Sequence, residues 1–438
     1  LRISAVLAGR GVNKGDCVAT LAWNTQAHVE AWFAIMGIGA VCHTLNPRLT
    51  AASLANMLRQ SEARILIASA DLAAFAQQIL KCAESEAIIL TIDDPSGGAQ
   101  SLATDARIGA LEAELESAGG DDVVWGAFDE SAPSGLCFTS GTTGAPKGVT
   151  YTHRSSFLHT LRLLQADVVG ITAADAVMPG VPMFHANAWG LPFAAPAVGA
   201  KLVLPGRMTD GASLAKLIVA EEVTVGVGVP TVWLGLLEHV EAGATGTPSL
   251  KRILVGGSPM PPALMKRIED RLGVTVQTSW GMTELSPVGA MAAPYESSRK
   301  AWVSGRPAVG VDLLVADAEG RALPTQRNVE GRLKVRGAAV VERYFGTSES
   351  ATDASGWFDT GDLARIDTDG NLVITGRAKE LIKSGGEWIN PAEIEAVVGA
   401  LPQVSLAAVI GRSDPKWGER PVLLVELRDL EAISDEEL

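Results

Sequence analysis

The sequence predicts an α/β protein: a large N-terminal domain over residues 1–375 and a small α+β C-terminal domain over 376–438. Three observations predict it. Helical periodicities alternate with short, β-rich apolar runs over about residues 1–300, as in layered sheets with parallel strands. From about 301 to 375 helices are scarce and short strands alternate with turns, the mark of a small β-subdomain. After residue 376 a helix–strand pattern restarts.

In chain order, apolar residues at Ile3, Val6 and Leu7 have helical spacing, and Gly15 to Leu21 reads as a turn into a buried strand. His28 to Gly37, Ala52 to Ser61 and Leu72 to Cys82 read as helices, with strands at Ala40–His43, Ala63–Ala68 and Ala87–Ile92 between and after them. Ile108 to Ser117 reads as a short helix. A second series follows, with strands at 176–178, 201–204, 223–227, 252–255 and 274–277. Its helices run over Trp189–Val198, Ala212–Glu221, Val232–Ala242 and Pro262–Arg271. Two successive series predict two related lobes. The β-subdomain takes strands at 311–316, 331–336, 363–366 and 372–375, and the last domain a helix at 391–400 and strands at 406–410 and 421–427.

Composition narrows the function. Hydrophobic residues at 47% and charged residues at 20% allow a large core and argue against disorder. A net charge of −14, from 36 basic and 50 acidic residues, argues against a nucleic-acid surface. Cys17, Cys42, Cys82 and Cys137 have neither zinc-site nor disulfide-framework spacing, which points to a reducing, cytoplasmic compartment. No apolar run reaches transmembrane length and no signal peptide is visible. The first residue is Leu1, so further native residues are expected upstream.

The densest chemical signal is Thr139-Ser140-Gly141-Thr142-Thr143-Gly144-Ala145-Pro146-Lys147-Gly148. Glycines let backbone N–H groups turn toward an anion, hydroxyls add donors and a lysine adds charge. The apolar runs on either side read as strands, so this is a strand–loop–strand element and not a Walker A site, which needs Ser or Thr after the lysine. The competing reading is a flexible turn. Ser279-Trp280-Gly281-Met282-Thr283-Glu284 follows a strand, where α/β folds place ligands. An indole can cover a flat base there, and a carboxylate can hold Mg2+ against a triphosphate. His185, in a segment of prolines and aromatics with Trp189, reads as a pocket wall, with no Ser-His-Asp arrangement nearby. Gly256-Gly257-Ser258 after a buried strand allows a close backbone approach to a ligand, although a plain turn reads almost as well. A last group is Gly356 to Asp362, followed by Thr375 to Ile389. A carboxylate there can hold a ribose.

These stretches together resemble the adenylate-forming superfamily of acyl-CoA synthetases, firefly-type luciferases and peptide-synthetase adenylation domains. Asn46-Pro47-Arg48, Pro182 to Gly190, Gly228 to Trp233 and Ser384 to Ile389 are similar to the medium- and long-chain fatty acyl-CoA synthetases and their relatives acting on 3-methylthiopropionate. The resemblance implies ATP, Mg2+ and CoA, a small carboxylic acid as substrate, and commonly a homodimer. It implies that Asp362 binds ribose with help from Arg377, that Glu284 holds the metal, and that Gly256 to Ser258 line the adenine and acyl sites. It further implies that His185 and Trp189 lie near the acyl group and that Trp233 gates its tunnel. Lys379 falls at the hinge of a mobile C-terminal domain, and Lys383, Ser384, Gly385, Gly386, Glu387 and Trp388 match the loop that swings in for thioester formation.

The sequence departs from the pattern in three places. Trp280 stands where tyrosine is usual, Pro294 to Gly305 is shorter than its counterpart, and the superfamily's P-K-T-x-x-G-K lysine is missing, the last lysine being Lys416. The ending Ser434-Asp435-Glu436-Glu437 is a capping box that should open a helix, so the C-terminal domain is expected to be truncated, and without the missing lysine the chain is expected to make adenylate poorly.

Overall fold

The computed structural model describes residues 1–94, 107–139, 146–243, 246–296, 299–384, 387–399, 401 and 403–427. The phosphate-loop residues Ser140 to Gly144, Gly385 and Gly386, and the capping box at Ser434 to Glu437 lie outside them.

Four sheets organise the chain. The first has seven strands in the order Ile108–Ala110, Ile88–Ile92, Ile65–Ser69, Cys17–Leu21, Val41–Thr44, Pro133–Thr139, Lys147–Thr152. Its strands run parallel up to the last pair, Pro133–Thr139 and Lys147–Thr152, which form an antiparallel hairpin. The second has the order Arg306–Pro307, Val288–Met291, Thr275–Gly281, Arg252–Val255, Val225–Gly228, Ala176–Pro179, Lys201–Leu202, parallel except at its first two joints. The near-continuous Val, Ile and Leu of the central strands match burial on both faces.

Three apolar layers explain the stacking. Leu66 and Ala19 face the helices Ala51–Ser61 and Ala73–Ala83. Ile253, Val255 and Val276 face Gly211–Glu221, Pro230–Glu241 and Pro262–Leu272. Between the sheets lies a shared core, where Val18 and Ile65 of one sheet and Val225 and Val227 of the other meet the helices Gln26–Gly37 and Leu191–Ala197. Trp32 stacks on Phe193 there at 5.9 Å. The buried Asn24 pins the two lobes together: its amide donates to the carbonyls of Pro179 (3.1 Å) and Val181 (2.8 Å) and accepts from the Met183 N–H at 2.7 Å.

The β-subdomain is a four-stranded antiparallel sheet, Asp312–Ala316, Glu330–Arg336, Phe358–Ile366 and Leu372–Arg377. The C-terminal region carries a fourth sheet, Glu387–Ile389, Ile382–Ser384, Gly418–Leu427 and Val404–Asp414, beside the helix Pro391–Gly399.

Two expected elements differ. Ile108–Ala110 is an edge strand, and the helix begins at Leu111, because those residues complete the first sheet beside Ile89 to Thr91. The helix expected from Trp189 begins at Leu191. Ahead of it, Ala186, Asn187, Ala188, Trp189 and Gly190 have φ of 45°, 55°, 47°, 54° and 79°, a left-handed turn. Such a turn costs roughly 1–2 kcal/mol for each residue with a Cβ, so only strong tertiary contacts hold it.

Candidate active site

The hairpin sets out the first group. Thr139 lies opposite Lys147 in the ladder, with a long hydroxyl contact of 3.4 Å to the Lys147 carbonyl. The exposed Lys147 side chain places its ammonium 4.8 Å above the ring of Tyr344. Gly148 serves packing: a Cβ there would fall 2.8 Å from Phe345 Cβ and 2.9 Å from Leu136 Cδ1. That close approach lets the Phe345 N–H donate to the Gly148 carbonyl at 2.7 Å and Val149 bridge to Tyr344.

Glu284 comes next, in the turn after Thr275–Gly281. Only 8% of the residue is exposed, and burial pushes its carboxyl upward. The Tyr344 hydroxyl, donating to Oε1 at 2.9 Å, and the positive charges of Arg377 and Lys147 oppose that shift. The backbone N–H of Glu284 also favours the charged form, and among the described residues no side chain besides that of Tyr344 hydrogen-bonds the carboxylate. The loop is gripped from beneath. Tyr151 donates to the Thr283 carbonyl at 3.0 Å, and Arg162 to those of Val288 (2.7 Å) and Leu285 (3.4 Å). The Val288 N–H donates to His159 Nε2 at 3.1 Å. Burial keeps His159 neutral, well below its ordinary range, and lowers Arg162 to about 10. Met282 N–H donates to the Pro287 carbonyl at 3.0 Å, closing the loop beside the bulge at Trp280 and Gly281.

Asp362 and Arg377 face each other across adjacent strands. Arg377 Nε binds Asp362 Oδ1 at 2.8 Å, and Trp280 Nε1 donates to Oδ2 at 2.9 Å. With 2% of the residue exposed, burial pushes the Asp362 carboxyl up to about 6, against the pull of Arg377 and Trp280. Trp280, expected as a base platform, therefore also orients the ribose-type carboxylate.

On the far side of Ser279 the strand end meets Gly256 and Trp189, two of the residues expected to line the adenine and acyl sites. Ser279 donates to the Val255 carbonyl at 2.9 Å. A Cβ at Gly256 would fall 2.5 Å from Ser279 Oγ and 3.1 Å from Trp189 Cη2, while Gly257 has φ of 80°. The left-handed turn thus brings the Trp189 indole against Gly256, with Ser258 exposed beside it. His185, at the start of that turn, is exposed, and desolvation lowers its imidazole below the ordinary range.

The family AMP-binding enzyme matches residues 1–345 and its C-terminal domain matches 393–438. The chain belongs to the AMP-binding enzymes. It is 41% identical over 435 residues to a medium-chain-fatty-acid–CoA ligase of Ectopseudomonas oleovorans, covering 97% of this chain and 79% of that protein. It is 40% identical over 452 residues to a 3-methylmercaptopropionyl-CoA ligase of Ruegeria lacuscaerulensis, covering all of this chain and 82% of that protein. Among solved structures it resembles o-succinylbenzoate CoA synthetase from Bacillus subtilis in complex with its acyl-adenylate intermediate. The TM-score is 0.82 and the identity 28%, over 100% of this chain and 83% of that one.

In this AMP-binding enzyme the donor set fits a nucleotide–magnesium complex. Among the described residues no cluster of three or more His, Cys, Asp or Glu exists. Mg2+ commonly takes one or two carboxylates together with phosphate oxygens, and Glu284 is the carboxylate that would serve here. The structure forms two groups, Lys147–Tyr344–Glu284 and Trp280–Asp362–Arg377, with the charge of Arg377 felt at Glu284, and sets Ser279, Gly256 and Trp189 beside one another. It sets Trp233 apart: the indole is fully buried behind Gly226 and Gly228, in the second lobe's outer core, and its N–H has no partner. Lys379 is exposed two residues after Arg377. Lys383 and Ser384 lie in the last sheet, with Lys383 opposite Trp388 and Ser384 opposite Glu387.

Sequence reasoning missed Tyr344, Tyr151, Arg162 and His159. A signal existed for Arg162, a charge inside the run Leu158 to Leu164, and for Tyr344, one of only three tyrosines.

Proposed function

We propose that this enzyme is an ATP-dependent carboxylic acid–CoA ligase with an aliphatic acid as substrate, a medium- or long-chain fatty acid before 3-methylthiopropionate. The observation that carries this reading is the convergence of a free ammonium (Lys147), a buried carboxylate (Glu284) and a ribose-type clamp (Asp362, Arg377). A carboxylate oxygen of the acid attacks the α-phosphorus of ATP, the bond to the β-phosphate oxygen breaks, and pyrophosphate leaves. Lys147 and the backbone of its loop bind the departing phosphates. Glu284 would hold Mg2+, which would supply charge neutralisation to the phosphates. The Asp362 oxygens, each with spare lone pairs, accept from ribose hydroxyls. His185, Trp189 and Gly257 line the acyl carboxylate's side.

In the second half-reaction the CoA thiolate attacks the acyl carbon and AMP leaves. The N-terminal domain, 1–375, and the C-terminal one, 376–438, turn about Lys379, so that Lys383 to Trp388 reach the site. The relatives named as CoA ligases favour this over loading of a carrier protein. Among the described residues the four cysteines form no disulfide and no helix is long and apolar enough to cross a membrane, which supports a cytoplasmic setting.

Acid-dependent pyrophosphate exchange, followed by thioester formation with free CoA, tests the reading over acids from propionate to palmitate and 3-methylthiopropionate. Lys147→Ala should lower exchange by about 10²–10³-fold and leave the thermal midpoint unchanged, because the side chain is exposed. Exchange that no acid in the panel stimulates would sink it.

A further inference from the structure

We infer that Tyr344 is a positioning residue that holds the Lys147 ammonium and the Glu284 carboxylate apart and separately aimed, so that a divalent cation and a polyphosphate can enter between them. The inference rests on the ligase reading above.

Two opposite charges at the mouth of one partly dry site attract each other. A direct Lys147–Glu284 pair would quench both: the lysine would lose its grip on phosphate, and the carboxylate its hold on a cation. Here both side chains reach the same Tyr344, one at its ring face and the other at its hydroxyl. Yet among the described residues Lys147 forms no ion pair. Tyr344 occupies the place between them and gives each a substitute partner. Its ring face takes the ammonium at 4.8 Å, a cation–π contact that a phosphate can displace. Its hydroxyl takes Glu284 Oε1 at 2.9 Å, which fixes the rotamer.

The side chain is itself held on both flanks. Tyr344 bridges Val149 on the hairpin's edge, and the next N–H, from Phe345, reaches the Gly148 carbonyl at 2.7 Å. Three residues earlier the Val341 N–H reaches the Glu284 carbonyl at 2.8 Å. The segment 341–345 therefore splints the phosphate hairpin of one lobe to the carboxylate loop of the other. Simple packing would ask only for a ring. The hydroxyl on a buried carboxylate and the cation on the ring face are what assign Tyr344 to the site.

The two halves of the role separate by substitution. Tyr344→Phe keeps the ring and removes the hydroxyl; Tyr344→Leu removes both. The readout is ATP binding by calorimetry with and without Mg2+, alongside KM for MgATP and kcat of pyrophosphate exchange. Tyr344→Phe should bind ATP without Mg2+ as the parent does, while the tightening on adding Mg2+ falls by about tenfold. Exchange should lose mainly in KM for MgATP. Tyr344→Leu should weaken both conditions. An unchanged Mg2+ effect in Tyr344→Phe, or equal weakening with and without Mg2+, would overturn the inference. A parent enzyme that binds ATP in neither condition would overturn the ligase reading and this role with it.

Discussion

Asp362 shows how one side chain trades stability for function. Its carboxyl is pushed up to about 6 from an ordinary 3.8 because burial penalises its charge more than Arg377 and Trp280 favour it. The folded state therefore binds this proton more tightly than the unfolded chain. That contribution is fully present below pH about 3.8 and is lost as pH rises through about 6, a difference of roughly 2–3 kcal/mol. Asp362→Asn should consequently gain thermal stability relative to the parent between pH 4.5 and pH 8, while its affinity for ATP falls by about tenfold or more. Melting curves at the two pH values check the first expectation and calorimetry the second; a relative stability that falls with pH would refute the assignment. The candidates Lys147, Glu284, Asp362 and Arg377 were legible because charge in a glycine-rich or turn-rich setting stands out from a core pattern. Tyr344, Tyr151 and His159 were not, because an aromatic or a lone histidine in the sequence is more often packing, and only contacts reveal otherwise.

At the scale of elements, the helix His153–Leu163 decides where the carboxylate loop sits. Arg162 is 3% exposed and spends its charge on the carbonyls of Leu285 and Val288, with its Nε unpartnered. Arg162→Met would fill the volume but leave two carbonyls unpaired beneath Glu284. It should cost about 2–4 kcal/mol in urea unfolding and raise KM for MgATP; no change in KM would mean the grip does not reach the site. The amphipathic helices of both lobes were legible from spacing, because one face of each meets a sheet. The strand Phe358–Ile366 was read only from residue 363, because Asp359, Thr360, Gly361 and Asp362 look like a polar turn. They are polar in a strand because that end carries Asp362 into its pair with Arg377 and its hydrogen bond from Trp280. The left-handed turn at Ala186–Gly190 left only a faint trace in residue type, at Asn187 and Gly190, because Ala186, Ala188 and Trp189 do not favour it. Its position is set by packing, with Gly190 against His159: a Cβ on Gly190 would lie 2.5 Å from His159 Nδ1.

Across the whole molecule, the site exists only because two lobes and a β-subdomain meet. Asn24 is one of the joints, with all three of its partners on the segment that leads to His185. Asn24→Ala should cost about 2–4 kcal/mol in urea unfolding, since it strands buried backbone groups, and should raise KM for the acid more than for ATP. Equal changes in both would place its influence elsewhere. The sequence by itself determined the α/β alternation, the lobes and the chemistry available, since periodicity and residue type are local properties. The tertiary structure alone decided that Trp280 donates to Asp362, 82 residues away, that Tyr344 lies between Lys147 and Glu284, and that Trp233 is sealed in a core. Those contacts join distant strands, and their geometry follows from how the sheets stack, which no local pattern encodes.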